Sequence, residues 1–261
     1  IICLSLSLLM GCSQNESPEK KPAQSEEKKE PAALKKMLSS MDAVNEELDK
    51  KIKMEQEAQE KEQEASSQAA EQGDAGKKTE ENSSDKMPDL KKEETHIKDI
   101  HAAWNTLEPE VIKAGLSTAD SVAFETALDA LTMYVSDKKM DEARLSAAAI
   151  YKPYAELSRV FSGPVPADYY LVKYEVMTTA IMAEQEEWDK ARERLPLLEE
   201  DWKRLKTEAN EVDQKLITQT DYAVTDMKNE IENEQTESAM IKSEIVMKHL
   251  KNIEGKLRSK V

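Results

Sequence analysis

The chain has 261 residues, of which 34% are charged, and its 53 acidic against 37 basic side chains give a net charge of −16. Such an acidic surface repels phosphates, so nucleic acid is not expected as a partner. Two cysteines are too few for a disulfide framework, and six glycines leave little material for sharp catalytic turns. Composition therefore favours a helical protein over a disulfide-rich or nucleic-acid-binding one.

The N-terminal residues combine an apolar run with a cysteine. The run occupies 1–10 and leads into Leu9-Met10-Gly11-Cys12, which polar residues follow at once. About ten apolar residues are too few to span a bilayer as a helix, but they fit the apolar core of a secretory signal. The run has no initiator Met or basic leader, so we expect a longer precursor.

This tetrapeptide resembles the lipobox of bacterial lipoproteins, in which a small residue precedes the cysteine that begins the mature protein. The resemblance implies that 1–11 are removed as a signal peptide and that the Cys12 thiol is diacylglycerylated. Two acyl chains, at roughly 0.8 kcal/mol per buried methylene, suffice for stable anchoring. We therefore expect a protein anchored on the outer face of the bacterial plasma membrane. The alternatives are an ordinary cleaved signal and a stray apolar segment.

Three segments of different composition follow the cysteine. Residues 12–33 are Glu, Lys, Ser, Gln and Pro with almost nothing to bury, which predicts a disordered tether. Residues 34–62 have apolar side chains at helical spacing, which predicts an isolated amphipathic helix that could pair with a protein partner. Residues 63–92 read as a polar linker. The helical domain is expected at 93–258 and to fold alone.

Within 93–258 the apolar spacing is helical throughout. A first helix should end near Gly115, and Ser117-Thr118-Ala119-Asp120 should supply the N-cap of a second. A third should follow Lys138 and end before Ser162. The strongest periodic signal, from Ile181 to Leu216, predicts a buried seam with Pro196 inside it, where proline kinks or starts a helix. The residues expected in the core are Trp104, Trp188, Leu195, Leu198, Trp202 and Leu205.

The chain also resembles itself after a shift of 48 residues. The shift lays Met140-Asp141-Glu142-Ala143-Arg144 on Trp188-Asp189-Lys190-Ala191-Arg192, and Tyr154 on Trp202. A period of this size is typical of helical hairpins, whether by duplication or by shared amphipathic spacing. We therefore predict an all-α fold of antiparallel helical hairpins, packed as a bundle or a short helical-repeat array.

The tract 180–253 contains Trp188-Asp189-Lys190-Ala191 and Trp202-Lys203-Arg204-Leu205-Lys206. It resembles an uncharacterised all-helical family of lipoproteins and membrane-anchored proteins from Gram-positive spore formers. The resemblance covers under a third of the chain. It implies the fold class and a cell-surface location, and it implies no activity.

Residues that could carry chemistry are few. Glu93-x-x-His96 has the spacing of di-iron carboxylate bundles, but the sequence contains no second such pair. His96 and His101 are five residues apart and do not share a helical face. No nucleophile, base and orienting group can be assembled from motifs, so neither an enzyme nor a cofactor is expected. The sequence favours a binding or structural module, and the alternative is a carrier of a small ligand or metal held between helices.

Overall fold

The computed structural model describes residues 29–71 and 89–259. Nine α-helices account for most of these residues, and the described part has no strand beyond a single bridge between Lys29 and Ser162. The all-α prediction is therefore confirmed. The helices are α1 Ala32–Glu71, α2 Lys91–Ala114, α3 Thr118–Ser136, α4 Met140–Ala149, α5 Tyr151–Arg159, α6 Ala167–Glu184, α7 Trp188–Glu208, α8 Gln214–Glu232 and α9 Thr236–Arg258.

The helices pack as two four-helix bundles. In the first bundle, α4 and α5 together take the place of one helix. In the first bundle α1 contacts α2, α2 contacts α3, α3 contacts α4 and α5, and α4 returns to α1. In the second bundle α6, α7, α8 and α9 contact one another in order, and α9 returns to α6. Helices α4 and α5 also contact α6, which joins the bundles. Antiparallel hairpins packed as a bundle or a short helical-repeat array were predicted, and this is confirmed.

Three hairpins share one turn. Lys138, Glu186 and Glu234 lie 48 residues apart and have φ values of 56°, 58° and 56°, the left-handed conformation that ends many helices. After each of them, the next amide donates to a carbonyl five residues back, as from Lys139 to Tyr134 at 2.9 Å. The same bond recurs after Glu186 and Glu234, at 2.8 and 3.0 Å. The 48-residue sequence period is therefore a repeated helix–turn–helix geometry.

The buried positions keep the same period. Tyr154, Trp202 and Leu250 are equivalent by the shift, and each is at most 4% exposed. Other fully or almost fully buried equivalents are Leu128, Val176 and Val224; Ala143, Ala191 and Ala239; Ile150, Leu198 and Val246; and Leu157, Leu205 and Ile253. Because a helix can bury only the stripe that faces its neighbours, equal spacing gives each hairpin the same packing face.

Prolines divide the helices differently from the prediction. The expected third helix breaks at Ile150, because Pro153 has no amide to donate and its ring crowds the carbonyl four residues earlier. By contrast Pro196 lies inside α7, which continues through it. The predicted seam is not one helix, since turns at 185–187 and 209–213 divide it among α6, α7 and α8.

The predicted helix end at Gly115 and cap at Ser117 are confirmed: Gly115 has φ 109° and the Ser117 hydroxyl accepts from the Asp120 amide.

The isolated helix at 34–62 was predicted wrongly. Helix α1 begins at Ala32, runs to Glu71 and belongs to the first bundle. Its stripe is buried against α2 and α4, at exposures of 5% or less for Leu34, Met37, Leu38, Met41, Val44 and Leu48. The partner surfaces lie far along the chain, so local spacing could not reveal them. The predicted linker at 63–92 is also wrong in part: 63–71 are helical and α2 begins at Lys91, while 72–88 lie outside the described residues.

The core of the second bundle is divided by polar side chains. A small cluster at the turn end contains Ala183, Ala191, Leu195, Ile231 and Ala239, separate from the main cluster that runs through both bundles. Thr179 and Ser243 lie in sequence between the two clusters on α6 and α9, at 0% and 3% exposure. The Thr179 hydroxyl is buried without a hydrogen-bond partner, which costs free energy.

Candidate functional site

A groove runs along the junction of the two bundles. Its walls are α1 from Asp42 to Glu57 and α9 from Met240 to Glu254, and its floor is α6. It contains cavities of about 230 and 730 Å³, which share the lining residues Asp49, Lys53, Met177 and Met247. We call this feature the α1–α9 groove. Junctions between packed units are common places for ligand sites.

Methionines supply much of the apolar surface of the groove. Met177 comes from the floor, Met240 and Met247 come from α9, and Met54 stands 61% exposed on α1. Methionine is unbranched and polarisable, so it adapts to ligands of different shapes. These methionines come from helices that are far apart in the sequence, and their clustering was not predicted. The available signal was local: Met240 and Met247 are seven residues apart and so share a face of α9.

Arg144 links the helices around the smaller cavity. Its Nε donates to Asp49 Oδ1 on α1 at 2.6 Å, and its Nη1 donates to Glu184 on α6. Burial disfavours the charged guanidinium, but the two carboxylates outweigh that effect and raise the pKa of Arg144. Between α1 and α9, Lys53 Nζ lies 2.5 Å from Glu244 Oε1. Arg144 thus connects α4 with α1 and α6, and the exposed Lys53–Glu244 pair is a contact between the two walls.

Tyrosines and carboxylates line the other end of the groove. The Tyr151 hydroxyl donates to Asp42 at 2.5 Å, and Lys173 Nζ donates to the same oxygen at 2.6 Å. The Tyr169 hydroxyl donates to Glu254 at 3.1 Å. Burial first, and the neighbouring carboxylates second, raise the pKa of Tyr151 and of Tyr169 well above the ordinary value. Both phenols therefore stay protonated and act as hydrogen-bond donors near neutral pH.

Three lysines on the groove rim are unpaired. Lys50, Lys248 and Lys251 are exposed, and none forms an ion pair or side-chain hydrogen bond with any residue in 29–71 or 89–259. Among the carboxylates that line the groove in those ranges, only Glu46 also forms neither an ion pair nor a side-chain hydrogen bond. The groove thus offers an apolar floor and a rim of free cations, a combination suited to recognising an anionic amphipathic ligand.

The aromatic and aliphatic residues expected in the core do not line the groove. Trp104, Leu195, Leu198, Trp202 and Leu205 are buried at 4% exposure or less. The Trp202 Nε1 donates to Asp221 at 2.7 Å, and the Trp104 Nε1 donates to Glu125 at 3.2 Å. Trp188 differs from the prediction, because as the first residue of α7 it is only half-buried against the small cluster. A helix end beside a turn has fewer neighbours to cover it.

The Glu93-x-x-His96 pair does not form a metal site. Glu93 is fully buried and pairs with Lys51 of α1, whereas His96 is only half-buried and His101 Nε2 lies 2.9 Å from the Thr132 hydroxyl. In the described ranges, no group of three or more His, Cys, Asp and Glu side chains could hold a metal ion. A second buried pair joins Glu175 to Arg194 at 2.8 Å; burial raises the pKa of Glu175, and Arg194 opposes that shift. These pairs link neighbouring helices.

The proposed lipidation residue Cys12 lies outside the described residues. Among the helices of 29–71 and 89–259, none is both long and apolar enough to cross a bilayer. The chain matches no protein-family model, no curated protein and no solved structure.

Proposed function

We propose that this protein is a lipid-anchored binding module of the bacterial cell surface, with the α1–α9 groove as its binding surface. The observation that carries the proposal is the contrast between closed bundles and an open junction. Inside each bundle the apolar stripes cover one another, whereas Met177, Met240 and Met247 of the groove are only partly buried and Met54 is 61% exposed. Uncovered apolar surface bordered by polar residues is typical of an interaction site.

The anchor is the second part of the proposal. Its support is the sequence Leu9-Met10-Gly11-Cys12 after an apolar run. A thioether-linked diacylglyceryl group on Cys12 would hold the helical array at the outer face of the plasma membrane, where the groove could meet a partner outside the cell. The membrane is therefore the first proposed partner, through Cys12.

The binding surface can be tested with anilinonaphthalene sulfonate, an anionic aromatic probe that fluoresces on apolar protein surface. We expect saturable binding to the folded chain and loss of that binding in Met247→Glu. Met133→Glu is the matched control, because Met133 is 47% exposed on α3, away from the groove. Equal binding by both variants, or none by the unmodified chain, would reject the groove as a binding surface.

The anchor is tested by labelled palmitate incorporation and membrane fractionation. Cys12→Ala should incorporate no label and leave an uncleaved precursor, because acylation needs the thiol. Cys3→Ala is the control, since Cys3 lies in 1–11, the proposed signal peptide that cleavage would remove. Equal labelling of Cys12→Ala and the unmodified chain would contradict the lipoprotein proposal.

A carrier of a small ligand is the second candidate. The smaller cavity, about 230 Å³, lies beside Arg144 and the Lys53–Glu244 pair and has the apolar side chains of Val176, Ala180 and Ile181 in its lining. A native mass spectrum of the purified protein would show a bound small molecule if this cavity carries one. A spectrum with the mass of the polypeptide and its lipid alone favours the binding module.

A further inference from the structure

The free charges of the α1–α9 groove are opposite in sign to the protein as a whole. The chain carries a net charge of −16, yet the unpaired rim residues in the described ranges are three lysines and one glutamate. The five remaining lining carboxylates are paired: Asp49 with Arg144, Asp42 with Lys173, Glu244 with Lys53, Glu254 with Arg258 and Glu57 with Lys61. Since complementary charge sets partner choice, the groove favours an anionic ligand.

The dimensions of the groove restrict the shape of that ligand. Each wall contains about 15 residues, or roughly 22 Å at 1.5 Å per helical residue. A single helix, α6, forms the floor between these walls and contributes Met177 to both cavities. A helix with its side chains is roughly 10 Å across. A helical ligand would therefore rest on the rim, with one row of apolar side chains toward this floor.

The positions of the free lysines favour an amphipathic helix over a simple amphiphile as the ligand. Lys50 lies on α1, while Lys248 and Lys251 lie one turn apart on α9, so free cations flank the apolar floor on both sides. A fatty acid has one carboxylate, at one end, and could satisfy only one of these sites. An amphipathic helix can carry several carboxylates on either side of an apolar stripe, because residues three and four apart are neighbours on its surface.

We propose that the α1–α9 groove binds an acidic amphipathic helix of about 14 residues. Its apolar stripe lies on Met177 and Met247, and its carboxylates pair with Lys50, Lys248 and Lys251. Helix-in-groove recognition of this kind uses adaptable methionine surfaces for the apolar stripe. The inference rests on the proposed function, in which the groove is the binding surface, and adds the chemical class of its partner.

The test uses fluorescence anisotropy with the full chain and two labelled helical peptides of about 14 residues. Both carry leucines along one face; one has glutamates beside the leucines, and the other has lysines at those positions. We expect one-to-one binding of the acidic peptide and at least about tenfold weaker binding of the basic peptide. The affinity for the acidic peptide should also fall as salt rises, because the rim lysines are exposed and their attraction is screened.

Two triple variants make the test specific to the rim. Lys50→Glu/Lys248→Glu/Lys251→Glu should lower the affinity for the acidic peptide by at least about tenfold, since it reverses the charges that contact the ligand. Lys98→Glu/Lys113→Glu/Lys203→Glu makes the same change in net charge at three exposed lysines that do not line the groove, and it should change the affinity by less than about threefold.

Several outcomes would overturn the inference. Equal binding of the two peptides, or equal losses in the two triple variants, would show that rim charge does not select the partner. Binding of anilinonaphthalene sulfonate or dodecanoate in the groove, without binding of the acidic peptide, would reject the helix and leave the proposed binding surface standing. Failure of the sulfonate probe as well would reject both.

Discussion

Along α9, Val246 and Leu250 are fully buried in the second bundle, whereas Met247, between them in sequence, is half-buried in the groove. One helix therefore presents two kinds of apolar surface. The buried face consists mainly of aliphatic residues and continues the spacing of the other hairpins. The groove face consists of methionine and charged residues. Rigid, branched side chains specify a folded core, whereas methionine tolerates different neighbours. On α9, residues that stabilise the fold and residues available for binding therefore lie on different faces of one helix.

The largest expected effect comes from removing α1. A chain that begins at residue 72 loses seven buried apolar side chains, each worth roughly 1.5–3 kcal/mol, against a total stability of ~5–15 kcal/mol for a typical domain. The first bundle should lose its cooperative unfolding transition, measured by circular dichroism in urea. A chain that begins at residue 29 is the control and should keep it. A cooperative transition in the shorter chain would show that α1 is dispensable for the fold.

The second expected effect is on the second bundle. Trp202→Ala deletes an indole that is 4% exposed, and deletions of this kind typically cost about 3–5 kcal/mol. The urea midpoint should fall sharply. Trp188→Ala should cost clearly less, because Trp188 is only half-buried. If Trp202→Ala leaves the midpoint unchanged, Trp202 does not belong to the packed interior, and a ligand-lining role would replace the structural one.

The third expected effect is a gain in stability. Thr179→Val replaces a buried hydroxyl that has no partner with a methyl group of similar size, and it should stabilise the protein by about 1 kcal/mol. Thr220 is the matched control: it is also fully buried, but its hydroxyl donates to the Leu216 carbonyl at 2.8 Å. Thr220→Val should therefore stabilise less or destabilise. The same gain from both substitutions would show that the unpaired hydroxyl is not the cause.

Local spacing predicted the helical class, the cap at Ser117 and the buried state of Trp104 and Trp202, because these follow from neighbours within a few turns. The 48-residue period was visible in matching residues such as 140–144 and 188–192, and the turn that recurs at Lys138, Glu186 and Glu234 follows it in the structure. The burial of α1 was not predictable in this way, since its partners are distant in sequence. The groove was missed for the same reason: its methionines and lysines come from α1, α6 and α9, which lie far apart in the sequence.

The most direct test of the distinction between core and groove compares two single thiols on α9. In a chain carrying Cys3→Ala and Cys12→Ala, Met247→Cys should react with a maleimide at a rate close to that of an accessible thiol. Saturating anilinonaphthalene sulfonate should slow that reaction. Leu250→Cys should react only through unfolding, because Leu250 is fully buried. Equal protection of the two thiols, with no effect of the probe, would contradict an open binding groove at the junction of the bundles.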